Sequence, residues 1–318
     1  MGEQGIWDVT VAASSHASLS GVLAGLAIAI LAIPVVRRQI GGRASGLKLP
    51  ILSVLLLIVS AVTWGGLSGQ PGREQLSNLG KETAGLLYAQ NMMIGASAVL
   101  FLSIGALTLV NPIVEFVADN ADDIRAFAAA LYGVLGGLAL YECVLFALDP
   151  VAAVFKNEPL HASGNIEWWI ALGCGSTAVA LSLLSVHIRG VQRMLDGLEV
   201  GLGRISRQAP EDVPVLLAGT VGLLAVVSYA LSPPHMAQPA SDFSGFDIAC
   251  VLLNLAACVA LLVFVAVASH GLSDARQLSL EVGKSQIRYS DGSAEPDGAD
   301  GSVAEGAQEA DVTSDEWS

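Results

Sequence analysis

Seven apolar runs, each close to twenty residues long and mostly uncharged, dominate this chain: Leu19–Val36, Pro50–Leu67, Leu87–Val110, Ile124–Leu148, Ile166–Ile188, Val213–Leu231 and Phe246–Ala268. A hydrocarbon layer about 30 Å thick takes about 20 helical residues to cross, so each run is long enough to be a span. Lipid offers free backbone groups no partner, which restricts spanning structures to helices and closed barrels. Barrel strands alternate over about ten residues, whereas these runs are continuous. The expected fold is therefore all-α: a polytopic bundle of about seven transmembrane helices. Composition agrees, since 53% of the 318 residues are apolar and only 14% are charged, with mean hydropathy +0.62, outside the range of ordinary soluble domains.

Orientation is expected from where the 15 Lys and Arg residues fall. Arg37, Arg38, Arg43 and Lys48 follow the first span, and Arg125 opens the fourth. Arg189, Arg193, Arg204 and Arg207 follow the fifth, and Arg276, Lys284 and Arg288 follow the seventh. Only Arg73, Lys81 and Lys156 lie on the other side. The positive-inside rule then sets the amino terminus outside and the carboxyl terminus in the cytoplasm. Glu115, Asp119, Asp122 and Asp123 make one inner loop acidic, but acids contribute little to that rule. Trp64, Trp168 and Trp169 fall at the outer boundary, where an aromatic belt is expected.

The leader before the first span carries Glu3 and Asp8 and no base, with Arg37 and Arg38 after the span. That is the reverse of a secretory signal, so an uncleaved anchor is expected. Residues 1–290 are expected to form one membrane domain and residues 291–318 a disordered acidic tail. From Asp291 onward the chain has nine acids and no base, with few large apolar residues to drive folding. Acidic segments, four Lys against eleven Arg, and abundant Ala, Val and Gly resemble the composition of proteins from salt-loving archaea. The expected location is a cell membrane, in such an organism or its mobile element. Cys143, Cys174, Cys250 and Cys258 all fall inside spans and read as small buried hydrophobes.

Ionisable and polar residues inside spans are the leads to function, because an unpaired charge there is costly. Glu142 lies seven residues before Asp149, about 10 Å below the outer boundary. Asn254, Ser176 and Thr177 sit at similar depth, and the group could line an outward-facing polar vestibule that binds a cation or relays a proton. The plainer alternative is interhelical hydrogen bonding with the carboxyl protonated. A second lead is cytoplasmic: Val191, Met194, Leu195, Leu198, Leu202 and Ile205 repeat at helical spacing, flanked by Arg189, Arg193, Arg204 and Arg207. Such a helix could lie on an anionic leaflet or bind a partner. Gly21-xxx-Gly25 and Gly133-xxx-Gly137 have the spacing that lets helices approach closely.

In span count and outside start the chain resembles a microbial rhodopsin. That family needs a lysine in the middle of its last helix to hold retinal, and Lys48, Lys81, Lys156 and Lys284 all lie outside the spans, which rules retinal out. No nucleotide-binding glycine loop, metal-ligand spacing or catalytic motif stands in the sequence, so neither enzyme activity nor a cofactor is expected. No long repeat relates the two halves, as many carriers would show. The acidic balance speaks against nucleic acid as a partner. Three functions remain: a scaffold or assembly component of a secretion, conjugation-like or envelope complex; a small-solute or ion carrier using the Glu142 region; and a seven-helix sensor without chromophore. Expected partners are the lipid bilayer, other membrane or cytoplasmic proteins, and a possible second copy of the chain.

Overall fold

The computed structural model describes residues 9–37, 45–70, 81–110, 113, 122–156, 166–206, 212–232 and 245–291. Eight helices are present among them: α1 (Val9–Arg37), α2 (Ser45–Ser68), α3 (Lys81–Leu107), α4 (Asp122–Lys156), α5 (Ile166–His187), α6 (Arg189–Ser206), α7 (Val213–Leu231) and α8 (Gly245–Asp291). Seven are long and apolar enough to cross a membrane, and α6 is the strongly amphipathic one. The chain divides into two units, residues 1–276 and 277–318. All seven spans belong to the first, while the second is described only over the remainder of α8. The acidic tail expected beyond it lies outside the described residues.

The first span differs from the sequence expectation. Its apolar window is Thr10–Ala32, not Leu19–Val36, so it begins about two turns earlier. The early segment is rich in hydroxyls, which lowers its hydropathy, but those hydroxyls return to the helix's own carbonyls. Ser14 donates to Val11 O (3.3 Å), Ser18 to Ser14 O (3.0 Å) and Ser20 to His16 O (2.8 Å). Back-bonding of this kind satisfies a hydroxyl without water, so a serine-rich turn can extend an apolar helix.

Helix α3 is the centre of the bundle, with 83% of its spanning window buried against 17% for α1. Side chains of the surrounding helices donate to its carbonyls. Ser53 and Ser60 of α2 donate to Gly105 O (2.7 Å) and Ala98 O (3.2 Å), and Tyr132 of α4 donates to Leu107 O (2.8 Å). From α8, Asn254 donates to Met93 O (3.5 Å) and accepts from the Ser97 hydroxyl (3.3 Å). Interhelical hydrogen bonds of this type contribute about 0.6 kcal/mol each in a membrane, so they set register more than stability. Phe101, Ile104, Leu100, Tyr132 and Phe264 fill the space between them.

Close approach of backbones supplies the remaining contact. A Cβ at Gly137 would stand 2.6 Å from Val179 Cγ2 and 2.9 Å from Gly175 O, and one at Gly133 would stand 2.7 Å from Ser182 Cβ. The Gly133-xxx-Gly137 pair is thus the seam between α4 and α5. Ser182 also meets Ser269 of α8, with 3.0 Å between hydroxyls. Gly21 and Gly25 behave oppositely: a Cβ at either meets nothing within 4 Å.

The two glycine pairs give a direct test. Gly137→Ala should lower stability by about 1–3 kcal/mol through overpacking, read as a lower melting temperature in detergent. Gly25→Ala should leave it unchanged or slightly higher. Equal effects from both substitutions would refute the α4–α5 seam.

Candidate functional site

Two ends of the bundle differ chemically. The tryptophan end carries Trp64, Trp168 and Trp169, and the basic end carries Lys48, Arg189, Arg193 and Arg204. Trp168 and Trp169 are exposed and packed edge to face, with 4.9 Å between ring centroids. Trp64 is not a belt residue as expected from sequence. It is fully buried, 4.6 Å from the His16 ring and 6.2 Å from Phe146, because the early start of α1 covers it. His16 therefore lies in the first span and not in an outer loop.

Glu142 stands one turn before Phe146 on α4, exposed on the same flank as Leu138. Its carboxylate lies within electrostatic reach of His16 on α1. Ser176 and Thr177 are exposed on α5, where the Thr177 hydroxyl donates to Gly173 O (2.8 Å). Asn254 is fully buried in the α3–α8 seam. Glu142 thus lies within electrostatic reach of His16, while the four residues expected to form one lining divide between an exposed surface and a buried seam.

That seam holds two residues which sequence reasoning passed over. Helices α3 and α8 run in the same direction, and two turns from Ser97 and Asn254 toward the tryptophan end stand Gln90 and Asp247. Both are buried, at 3% and 2% exposure, and Gln90 Oε1 has no hydrogen-bond partner among the described residues. Asp247 opens the last apolar run, a position that reads as a span boundary, so its burial left little signal. Nearby, Ser228 of α7 donates to Cys250 O (3.3 Å). All four cysteines are free; Cys143 lies beside Cys258 and 3.9 Å from the Ser103 hydroxyl. Among the described residues no group of three His, Cys, Asp or Glu side chains could hold a metal ion.

At the basic end, α6 realises the amphipathic pattern over Arg189–Ser206. Arg189, Arg193 and Arg204 are exposed; Arg207 lies outside the described residues. Leu195 is buried and Leu202 packs against the main core. Asp196, half exposed, meets the buried His270 of α8, with 2.6 Å between Oδ1 and Nε2. This pair joins residues 74 apart, which no local pattern reveals. It also fixes the path of α6. Fourteen residues of straight helix would set Asp196 about 21 Å beyond Ser182 along the axis, yet their partners His270 and Ser269 are neighbours. The α5 ladder closes with Ile188 N–H to Leu184 O (2.8 Å), and a new one begins with Gln192 N–H to Ile188 O (3.1 Å). The chain turns at Ile188, and α6 runs across the basic end of the bundle. The Lys48–Asp212 ion pair (2.7 Å) ties α2 to the start of α7 at the same level.

No family model matches the chain, and neither a curated protein nor a solved structure matches it.

If Asp196–His270 holds α6 in place, Asp196→Ala should speed tryptic cleavage after Arg193 and Arg204 severalfold. Global melting should change little, since a half-exposed pair contributes about 1 kcal/mol or less. Unchanged cleavage kinetics would show that Leu195 and Leu202 hold the helix unaided.

Proposed function

We propose that this multi-pass membrane protein is a non-catalytic scaffold or assembly component of a membrane-embedded complex, of the secretion, conjugation-like or envelope kind. The observation that carries the reading is the open face of α1. Gly21 and Gly25 have the spacing used at the α4–α5 seam, but among the described residues nothing packs on them, and only 17% of that span's window is buried. An exposed glycine pair gives a spanning helix no advantage in lipid; it does give a second helix a close approach. The exposed Glu142, within electrostatic reach of His16, adds a polar group on the membrane face. In this reading the basic end faces the cytoplasm, in a cell membrane, with the acidic tail free to meet basic partners.

A carrier is the second reading, favoured by the buried Asp247 and Gln90 leading toward Asn254. Coupled uptake in vesicles that is lost in Asp247→Asn with folding intact would decide for a carrier working through that seam, and loss in Glu142→Gln for one working through Glu142.

The scaffold reading is tested by gentle extraction from native membranes with crosslinking, size analysis and mass spectrometry. A stable hetero-complex is expected, and the Gly21→Leu/Gly25→Leu double variant should dissociate it without loss of melting temperature, because a side chain at those positions meets nothing within 4 Å among the described residues. A homogeneous monomer from the native membrane would overturn the reading.

A further inference from the structure

The face of α6 turned away from the bundle has a chemistry of its own. Met194, Leu198 and Ile205 recur at spacings of four and seven, so they form one stripe. They are 57%, 38% and 83% exposed, unusual for large apolar side chains on a charged helix. Leu195 and Leu202 of the same apolar sector are turned against the bundle, so the sector is wider than the bundle covers. Arg193 and Arg204, eleven residues apart and thus on one edge, stand exposed beside the stripe. Gly197 and Gly201 lie between, with nothing within 4 Å of a Cβ at either. Of the two acids on α6, Asp196 is exposed and turned to His270 of α8, and Glu199 is half-buried.

Position decides what covers this stripe. Helix α6 follows α5 at the single break of Ile188, and the Asp196–His270 pair holds it level with the end of the last span. A helix lying across the end of a spanning bundle sits at the depth where acyl chains give way to headgroups. There an apolar stripe is buried and an arginine edge reaches phosphates.

We propose that α6 is an interfacial helix that binds the anionic lipid leaflet at the basic end of the bundle: Met194, Leu198 and Ile205 enter the acyl boundary, and Arg189, Arg193 and Arg204 engage phosphodiester headgroups. The bundle and the His270–Asp196 pair supply the fixed edge against which the helix is laid. Each arginine near such a surface is worth about fivefold in binding, so two charge reversals have a readable effect.

The test is hydrogen exchange of the full chain in nanodiscs of phosphatidylcholine alone and of an equimolar mixture with phosphatidylglycerol. The peptides covering residues 189–206 should exchange about tenfold more slowly in the anionic discs. Arg193→Glu/Arg204→Glu should remove the difference, while exchange in the seven spans stays as in the parent and reports an intact fold. Equal protection in both lipids would overturn anionic recognition. Protection seen in native membranes but in neither disc would replace the lipid with a protein partner. No protection anywhere would place α6 in water and end the proposal.

Discussion

A hydrocarbon layer leaves a polar atom only the protein as a partner, and the packing of this chain follows from that constraint. Its spans are rich in serine, and many of the hydroxyls meet a carbonyl or another hydroxyl. Some return to their own helix, as Ser18 and Ser20 do; others reach a carbonyl of α3, as Ser53 and Ser60 do. The helix that receives most of these bonds is the most buried, and the helix that spends its hydroxyls on itself is the least. Burial and hydrogen bonding thus describe one gradient, from α3 at the centre to α1 at the rim.

Glycine placement completes that gradient. Where two helices must touch backbone to backbone, at Gly137 and Gly175, a methyl group would collide. On α1 the same residue type stands open. A spacing motif therefore identifies surfaces able to pack, and the tertiary structure decides which have been used internally. What remains unused at the membrane face, the Gly21–Gly25 stripe and the exposed Glu142, is what associative function would draw on. At the basic end the exposed stripe of α6 is the corresponding unused surface.

The architecture was legible because a span is a local property: an apolar run of sufficient length needs no knowledge of its neighbours. All seven runs became helices, and the amphipathic period of 191–205 became α6. What failed was either at an edge or between distant residues. Thr10–Ser18 looks too polar to span until its hydroxyls are paired with carbonyls one turn back. Trp64 looks like a belt residue until α1 is extended over it. Ser97, His270 and Asp196 carry no pattern in the sequence, and Asn254 stands out by depth alone, since their partners are 74 to 161 residues distant. Asp247 was hidden by lying where a charge is ordinarily the end of a span.

The central claim is that neighbouring positions on α1 face different worlds, one toward α2 and the next away from the chain. Cysteine crosslinking in native membranes, in a background with the four native cysteines replaced by alanine, addresses it directly. Ser20→Cys with Ser60→Cys, whose hydroxyls are 2.9 Å apart, should close within one molecule. Gly21→Cys alone should give products only between molecules. A protein that stays monomeric with its thiol at position 21 unreacted, or one whose 20–60 pair does not close, would contradict the account.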